Sequence, residues 1–468
     1  MLHEDRLFST DPAVRGIARK LYDEVKDLPI ISPHGHVEAQ MFAENKPFPD
    51  PAQLLIVPDH YIFRLLYSQG ISLESLGVRP VDGSWFETDS RKIWQIFCEK
   101  FYLFAGTPTG VWLMHEFSEL FGIQEKLSDA DAQEIYNRIQ EKLNLPDFLP
   151  RAMFDRFNLE VLSTTDGASD DLKYHRKIRE SGWKGNVVPC FRPDDVTNLQ
   201  NPNWKQNIVR LGELTGITIQ SFRDFVSALE KRRKEFIEMG AVATDHGVEL
   251  PWTHELSPNE ADRIFQDALK GKVTDESAKL FTAHMLMEMA RMSVEDGMVM
   301  QIHPGCYRDH NREVFRRFGQ NKGADIPLQT EFTKSLSELL NKFGNRRDFT
   351  VVVFTLDETT YSRELATLAG HYPAMKIGPT WWFFDSINGM TRHREAILET
   401  ASIYNTVGFI DDTRAFPSIP ARHDVSRRID CNYLAGLFAR HIIDMESAEI
   451  MAREMAYGLS KRTYCLKK

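Results

Sequence analysis

From about residue 155 onward, this 468-residue chain alternates short β-branched runs with longer stretches of helical periodicity. The short runs cover residues 159–163, 186–191, 241–244, 298–303, 349–355, 374–378 and 406–410. Stretches such as 222–239 and 278–295 separate them. A strand followed by a helix, repeated many times, predicts a parallel sheet. A further short run ends just before His34, and eight strand–helix units close most readily into a (β/α)8 barrel.

The predicted fold is therefore α/β, a TIM-type (β/α)8 barrel with a helical insertion after its first strand. We assign residues 1–37 and 156–468 to the barrel, and residues 38–155, whose helical patterns are broken by prolines, to a mainly helical insertion. A doubly wound open sheet is the alternative. No glycine-rich phosphate-binding fingerprint follows the first strand, which favours the barrel.

Charge and cysteine content limit the classes of partner and compartment. The net charge of -10 gives no basic face for nucleic acid. No apolar run approaches the roughly 18 residues that a membrane span needs. The five cysteines are scattered and form no CxxC pair, which predicts free thiols in a reducing compartment. We therefore expect a cytoplasmic protein without a nucleic-acid or membrane partner.

The sequence His34-Gly35-His36 follows the first predicted strand directly. Side chains at positions i and i+2 of an extended chain point the same way, so the two imidazoles can converge. Two neutral imidazoles are half of a divalent-metal site. A pair of polar turn residues is the alternative interpretation of this motif taken alone.

Polar, aromatic or charged residues follow almost every predicted strand, at positions 34–36, 164–167, 191–194, 245–247, 301–305, 380–385 and 411–414. In a barrel these strand ends meet at one face and form the active site. Arg192 and Arg414 suit a carboxylate, because a guanidinium can donate two parallel hydrogen bonds to it. Trp381 and Trp382 are typical of a flat wall against a sugar ring. Asp412 lies on the same side of the chain as Arg414.

These motifs, in this order, resemble the uronate (glucuronate) isomerase family of the amidohydrolase superfamily over nearly the whole chain. The matching segments are His34-Gly35-His36, Asp59-His60-Tyr61 with Arg64, residues 117–123, Thr164-Thr165-Asp166, Phe191-Arg192-Pro193-Asp194, Asp245-His246-Gly247, Gln301-Ile302-His303, Trp381-Trp382-Phe383, Asp412-Thr413-Arg414 and Arg422-His423. The chain resembles a divergent member. Tyr67 replaces a second arginine that is usual in the family, and the segment 418–423 is one residue longer than the family pattern.

The resemblance implies an aldose–ketose isomerase that interconverts D-glucuronate with D-fructuronate and D-galacturonate with D-tagaturonate through an enediol. It also implies a divalent metal. Zn²⁺ fits the donors best, and Mn²⁺, Fe²⁺ or Co²⁺ are the alternatives. The metal would polarise the substrate oxygens at C1 and C2. The predicted metal ligands are His34, His36 and Asp412. The predicted catalytic residues are Tyr61, Asp412 and Arg414. The predicted substrate-binding residues are His60, Arg64, Arg192, His303, Trp381 and Trp382. Tyr61, Asp412 or a water on the metal could transfer the proton. The expected partners are a small acidic sugar and other copies of the chain, in a homo-oligomer.

Two other functions remain open at this point. The first is a single-metal hydrolase that uses His303 and acts on a small acidic or sugar-derived lactone or amide. The superfamily's two-metal hydrolases carry a lysine at strand four and a histidine at strand six. The ends of those strands here read Asp245-His246 and Thr355-Leu356-Asp357. The second is a non-catalytic barrel that binds an acidic sugar as a sensor or scaffold.

Overall fold

The computed structural model describes residues 2–466. Its strands are β1 (Ile30–Ser32), β2 (Leu159–Ser163), β3 (Asp166–Gly167), β4 (Val187–Val188), β5 (Phe191–Arg192), β6 (Ala243–Gly247), β7 (Val299–His303), β8 (Cys306–Tyr307), β9 (Ile326–Pro327), β10 (Val351–Val353) and β11 (Met375–Ile377). All pairs except β8–β9 are parallel. This parallel pairing is what the alternation of strand and helix predicts.

The parallel strands follow one another in chain order. One sheet has the order β1-β2-β4 and the other the order β11-β10-β7-β6-β5-β3. β3 continues β2, and β5 continues β4, after short interruptions, and backbone hydrogen bonds through Thr164 and Cys190 bridge the two sheets. A doubly wound sheet reverses its strand order at a switch point. No reversal occurs among the described strands, so the barrel prediction holds over the open-sheet alternative.

The eighth predicted strand, residues 406–410, is not a regular strand. It contributes an isolated parallel bridge between Ile377 and Thr406. Gly408 has φ +76°, which no extended strand allows, and this interrupts the run. Beyond it, the N–H of His36 donates to the carbonyl of Thr413 over 2.9 Å. That hydrogen bond joins the chain after the last barrel position to the chain after the first, as closure of a barrel requires.

The helices surround these strands, and seven of them, α2–α8, lie between β1 and β2. The α-helices are α1 (Pro12–Val25), α2 (Ala39–Glu44), α3 (Pro51–Leu55), α4 (His60–Ser68), α5 (Ser90–Glu99), α6 (Pro108–His115), α7 (Ala132–Leu143), α8 (Pro150–Arg156), α9 (Lys173–Glu180), α10 (Asp194–Thr197), α11 (Trp204–Thr215), α12 (Phe222–Glu238), α13 (Pro258–Leu269), α14 (Asp275–Asp296), α15 (Arg312–Phe318), α16 (Ser337–Phe343), α17 (Ala366–Ala369), α18 (Ile387–Ala401), α19 (Ile419–Ala439), α20 (Met445–Arg453) and α21 (Leu459–Thr463). No described helix is both long and apolar enough to cross a membrane.

The inserted helices share an apolar core with the first strands of the barrel. Buried side chains of α2–α8 form one cluster with Ile30 of β1 and with Leu159 and Leu162 of β2. A second large cluster lies between the remaining strands and their helices. Burial of apolar side chains fixes where the inserted helices sit, and so places α4 beside the ends of the strands. The exact division of the chain at residues 38 and 155 stays a prediction.

Candidate active site

His34, His36 and Asp412 come together at one end of the barrel. The Nε2 atoms of His34 and His36 each lie 3.3 Å from Oδ1 of Asp412. His34 is fully buried, whereas His36 retains about a fifth of its side-chain exposure. The two imidazoles meet edge to face, with ring centroids 5.3 Å apart. Residues separated by more than 370 positions in the chain thus present three donor atoms to one point.

The backbone around these residues is specialised. The hydrogen bond from His36 N–H to Thr413 carbonyl ties the two segments together. Asp412 has φ +41°, in the left-handed region that non-glycine residues seldom adopt. Residues held in that region tend to cluster at functional sites, because the surrounding structure must impose the conformation. Asp411 turns the opposite way, and its Oδ2 pairs with Nε2 of buried His423 at 3.1 Å.

The geometry fits a divalent cation. Metal–ligand distances of about 2.0–2.2 Å in a tetrahedral site place neighbouring ligand atoms about 3.3–3.6 Å apart, and both separations here lie within that range. Oδ1 of Asp412 is buried and has no hydrogen-bond partner among residues 2–466. A buried carboxylate oxygen without a partner is costly, and a cation would satisfy it. The donor set of two imidazoles and one carboxylate is one that divalent metals use.

Electrostatics keep Asp412 and His36 in the form that binds metal, whereas Asp245 and Asp412 raise the pKa of His34 against the effect of its burial. Burial acts to raise the pKa of Asp412, but the neighbouring His34 and His36 hold it below the ordinary value, so the carboxylate stays ionised. Burial and the adjacent Arg414 hold the pKa of His36 well below its usual range. The imidazole of His36 is therefore neutral at physiological pH, as a metal ligand must be.

A cavity opens directly beside the three donors. The predicted residues that line it are His36, His60, Tyr61, Trp381, Trp382, Asp412 and Arg414. Asp59 places two of them, because its side chain accepts the N–H of Tyr61 at 2.8 Å and so starts helix α4 at His60. Strand β11 leads into the segment that carries the two tryptophans, and Trp382 has φ +55°.

Several polar atoms at the cavity are buried and have no partner among the described residues. They are Nε2 of His60 and Nε1 of both Trp381 and Trp382. Burial, with nearby arginines, lowers the pKa of His60 to about 3, so its ring is neutral. The guanidinium of Arg414 is also unpaired, because no carboxylate of residues 2–466 lies within ion-pair distance of it. Unsatisfied donors and an unpaired cation facing a cavity are suited to a polar, anionic ligand.

The remaining predicted substrate-binding residues lie outside the cavity lining. His303 is buried, stacks on His34 with centroids 4.7 Å apart, and directs Nδ1 to Asp245 at 2.6 Å. Arg192 is held by Asp194 at 2.7 Å and by Asp245 at 3.0 Å. The guanidinium of Arg64 lies 4.3 Å from the ring centre of Phe383. Their predicted role in binding substrate stays a prediction.

Sequence reasoning assigned no role to two arginines that line the cavity. Arg422 is buried, pairs with Asp385 at 2.9 Å and lies over Trp112 at 3.7 Å. It belongs to a motif quoted for the family resemblance, which could have suggested it. Arg308 follows β8 in a segment without any motif, so no sequence signal pointed to it. Tyr67, which replaces an arginine usual in the family, is 39% exposed and is not part of the lining.

Together, the parallel α/β barrel and a His-x-His pair joined by an aspartate after the last barrel position define a protein of the amidohydrolase type. A sequence model described as glucuronate isomerase matches residues 5–464. The chain belongs to this family, as its motifs predict.

Individual relatives agree over the full length. The uronate isomerase of Rhizobium meliloti (strain 1021) is 52% identical over 466 residues, which cover 100% of this chain and 99% of that protein. The crystal structure of glucuronate isomerase from Caulobacter crescentus superposes with a TM-score of 0.98 at 51% identity, and covers 100% of this chain and 98% of that one. The uronate isomerase structure from Thermotoga maritima gives a TM-score of 0.92 at 29% identity, with 99% of both chains covered.

Proposed function

We propose that this chain is an aldose–ketose isomerase that converts D-glucuronate to D-fructuronate and D-galacturonate to D-tagaturonate. The observation that carries the proposal is the meeting of His34, His36 and Asp412 beside a cavity that Tyr61 and Arg414 also line. Membership of the glucuronate isomerase family, at about half of all positions identical over the full length, supports the same activity.

The reaction moves a proton from C2 to C1 through an enediol. A divalent cation bound by His34, His36 and Asp412 would supply positive charge to substrate oxygens, an effect worth several kcal/mol. Burial raises the pKa of Tyr61, so its hydroxyl stays protonated and donates to a substrate oxygen. The ionised carboxylate of Asp412 accepts the proton from C2, and the carboxylic acid so formed returns it to C1. Arg414 stabilises the negative charge of the enediolate.

A hydrolase on the same barrel is not favoured. The ends of strands four and six, where two-metal hydrolases carry a lysine and a histidine, read Asp245-His246 and Thr355-Leu356-Asp357 here. Asp245 is already engaged by His303 and Arg192, and Asp357 accepts the N–H of Thr330 and of Thr359. The named relatives that match the whole chain are isomerases.

The metal that we propose is Zn²⁺, because two imidazoles and a carboxylate in tetrahedral spacing are a ligand set typical of zinc. The ion is tested by removing metal with a chelator and restoring Zn²⁺, Mn²⁺, Fe²⁺ or Co²⁺ in separate samples. Recovery of isomerase activity with Zn²⁺ at least as great as with the other three ions supports the proposal. Recovery confined to another ion contradicts it.

The activity is tested by assaying D-glucuronate and D-galacturonate for ketose formation beside a panel of lactones and amides. Ketose formation is expected, and turnover of the second panel alone would reject the isomerase. The variant His34→Ala/His36→Ala should lose bound metal by elemental analysis, and about 100-fold or more in activity. His371→Ala, at an exposed histidine, is the matched control.

Self-association and a reducing compartment complete the proposal. Trp85 and Tyr102, between β1 and β2, are 70% and 61% exposed, and such aromatic side chains are typical of interfaces between copies. Light scattering on the eluted peak of a sizing column tests the oligomer, and a monomeric mass would contradict it.

All five cysteines are free in the structure, and Cys465 is exposed, which suits a reducing compartment such as the cytoplasm.

A further inference from the structure

A segment after β7 forms one wall of the cavity. This cover segment, residues 306–327, begins with β8, contains α15 and ends with β9, which pairs antiparallel with β8. It contributes Arg308, Asn321 and Asp325 to the cavity lining. The cover segment therefore forms part of the cavity wall, although none of the motifs quoted above for the family resemblance lies in it.

Close contacts fix the cover segment on the inserted helices. At Gly323, which has φ +74°, a Cβ atom would lie 2.6 Å from Cβ of Arg64 and 3.2 Å from the carbonyl oxygen of His60. Only glycine fits there, so the cover segment packs tightly on α4. On its other side, the N–H of Val81 donates to the carbonyl of Arg317 at 2.9 Å. The cover segment thus holds a defined position against the backbone of His60 and Arg64.

Asp325 holds Arg308 at the edge of the cavity. The Asp325 carboxylate is buried, accepts the N–H of Asp309 at 2.7 Å and lies 3.4 Å from Nη1 of Arg308. The guanidinium carbon of Arg308 is 6.0 Å from the ring centre of Trp382. The Arg308 side chain keeps 41% of its exposure. One long ion pair leaves most of its five N–H donors free to bind a ligand.

The local charge supports the same conclusion. The whole chain carries a net charge of -10, which repels an anionic sugar at long range. At the cavity, Arg308 adds its charge to that of the unpaired Arg414, and Lys322 of the cover segment lies close enough to Arg414 for the two cations to interact. The lining also holds the carboxylates of Asp59, Asp325 and Asp412, so the attraction for an acidic substrate is local to the guanidinium groups of Arg308 and Arg414.

We propose that Arg308 binds the acidic sugar directly and that Asp325 is a positioning residue that holds its guanidinium. The inference rests on the proposed function and adds a substrate-binding group supplied by the cover segment. Because Arg308 binds and does not transfer protons, its loss acts on KM more than on kcat.

The test compares Arg308→Gln, Arg308→Lys and Asp325→Asn with wild type, using D-glucuronate at low and high salt. We expect Arg308→Gln to raise KM by about 10-fold or more, as loss of a charge-assisted hydrogen bond does, while kcat changes less than about threefold. Its KM should also depend less on salt than that of wild type. Arg308→Lys should retain the salt dependence but not the full affinity, and Asp325→Asn should show an intermediate KM. Arg312→Gln, at an exposed arginine of α15, is the control and should match wild type.

An unchanged KM and salt dependence in Arg308→Gln would overturn the inference. Failure of wild type itself to turn over D-glucuronate would count against the proposed function instead. In that case, the role of Arg308 is decided by calorimetry, which compares the affinity of wild type for D-glucuronate with that of Arg308→Gln. Equal affinity for the two proteins would reject it.

Discussion

Nδ1 of His303 lies 2.6 Å from Oδ1 of Asp245, and both side chains are buried next to the His34 ring. The second oxygen of the same carboxylate lies 3.0 Å from Nη1 of Arg192. A single aspartate therefore orients an imidazole and a guanidinium at the base of the site. His303 is left with Nε2 buried and without a partner among the described residues.

We expect Asp245→Asn to lower kcat/KM by about 10- to 100-fold, by analogy with the loss of hydrogen-bonding groups that orient the residues around a metal site. The amide cannot pair with His303 and Arg192 as an anion does. Steady-state kinetics and metal content check the effect, and circular dichroism verifies folding. Asp147→Asn, at an exposed aspartate, is the control. A folded Asp245→Asn protein with wild-type kinetics would show that the pair has no role in catalysis.

Tyr61→Phe should reduce kcat by about 10²–10⁴-fold with bound metal unchanged, because it removes a proposed proton donor and keeps the ring. Tyr67→Phe is a matched control on the same helix, since Tyr67 is exposed and is not part of the cavity lining. The measurement is the initial rate of ketose formation at saturating D-glucuronate. Equal rates for the two variants would remove Tyr61 from the chemistry.

Trp382→Phe should raise KM for D-glucuronate by about 3- to 10-fold, because the indole N–H is a buried donor that only a ligand would satisfy. The phenyl ring retains most of the apolar wall, so kcat should change little. Trp85→Phe, at a residue that is 70% exposed, provides the comparison. A KM identical to that of wild type would mean that this N–H does not contact substrate.

Glu116 makes the stability of the fold depend on pH. Burial, together with Asp59, raises its pKa to about 8 from an ordinary value of 4.5. The fold favours the neutral carboxyl, so this contribution to stability is full below about pH 4.5 and is lost as pH rises through about 8. Between pH 6 and pH 9, the Tm of wild type should therefore fall more than that of Glu116→Gln.

The control for that comparison is Glu119→Gln, an exposed glutamate of the same helical turn. Its Tm should follow that of wild type across the pH range. Calorimetry at fixed ionic strength measures all three proteins. Parallel curves for wild type and Glu116→Gln would show that Glu116 does not titrate with unfolding.

Local patterns were sufficient for much of the fold. The run before His34 and six of the seven later runs are strands, because β-branched residues that are buried on both faces leave a clear signature. The run 406–410 was predicted as an eighth strand, but Gly408 adopts a positive φ there and only one bridge forms. Backbone conformation at a single glycine cannot be read from hydrophobic pattern.

The sequence by itself determined the alternation that makes a parallel barrel, the His-x-His pair and the family to which the chain belongs, since each can be recognised from short motifs and their order along the chain. Only the tertiary structure decided that Arg192 is engaged by two carboxylates. It also decided that Arg308 of the cover segment reaches the cavity. Such pairings join residues far apart in sequence, and chain closure and packing, rather than local periodicity, select them.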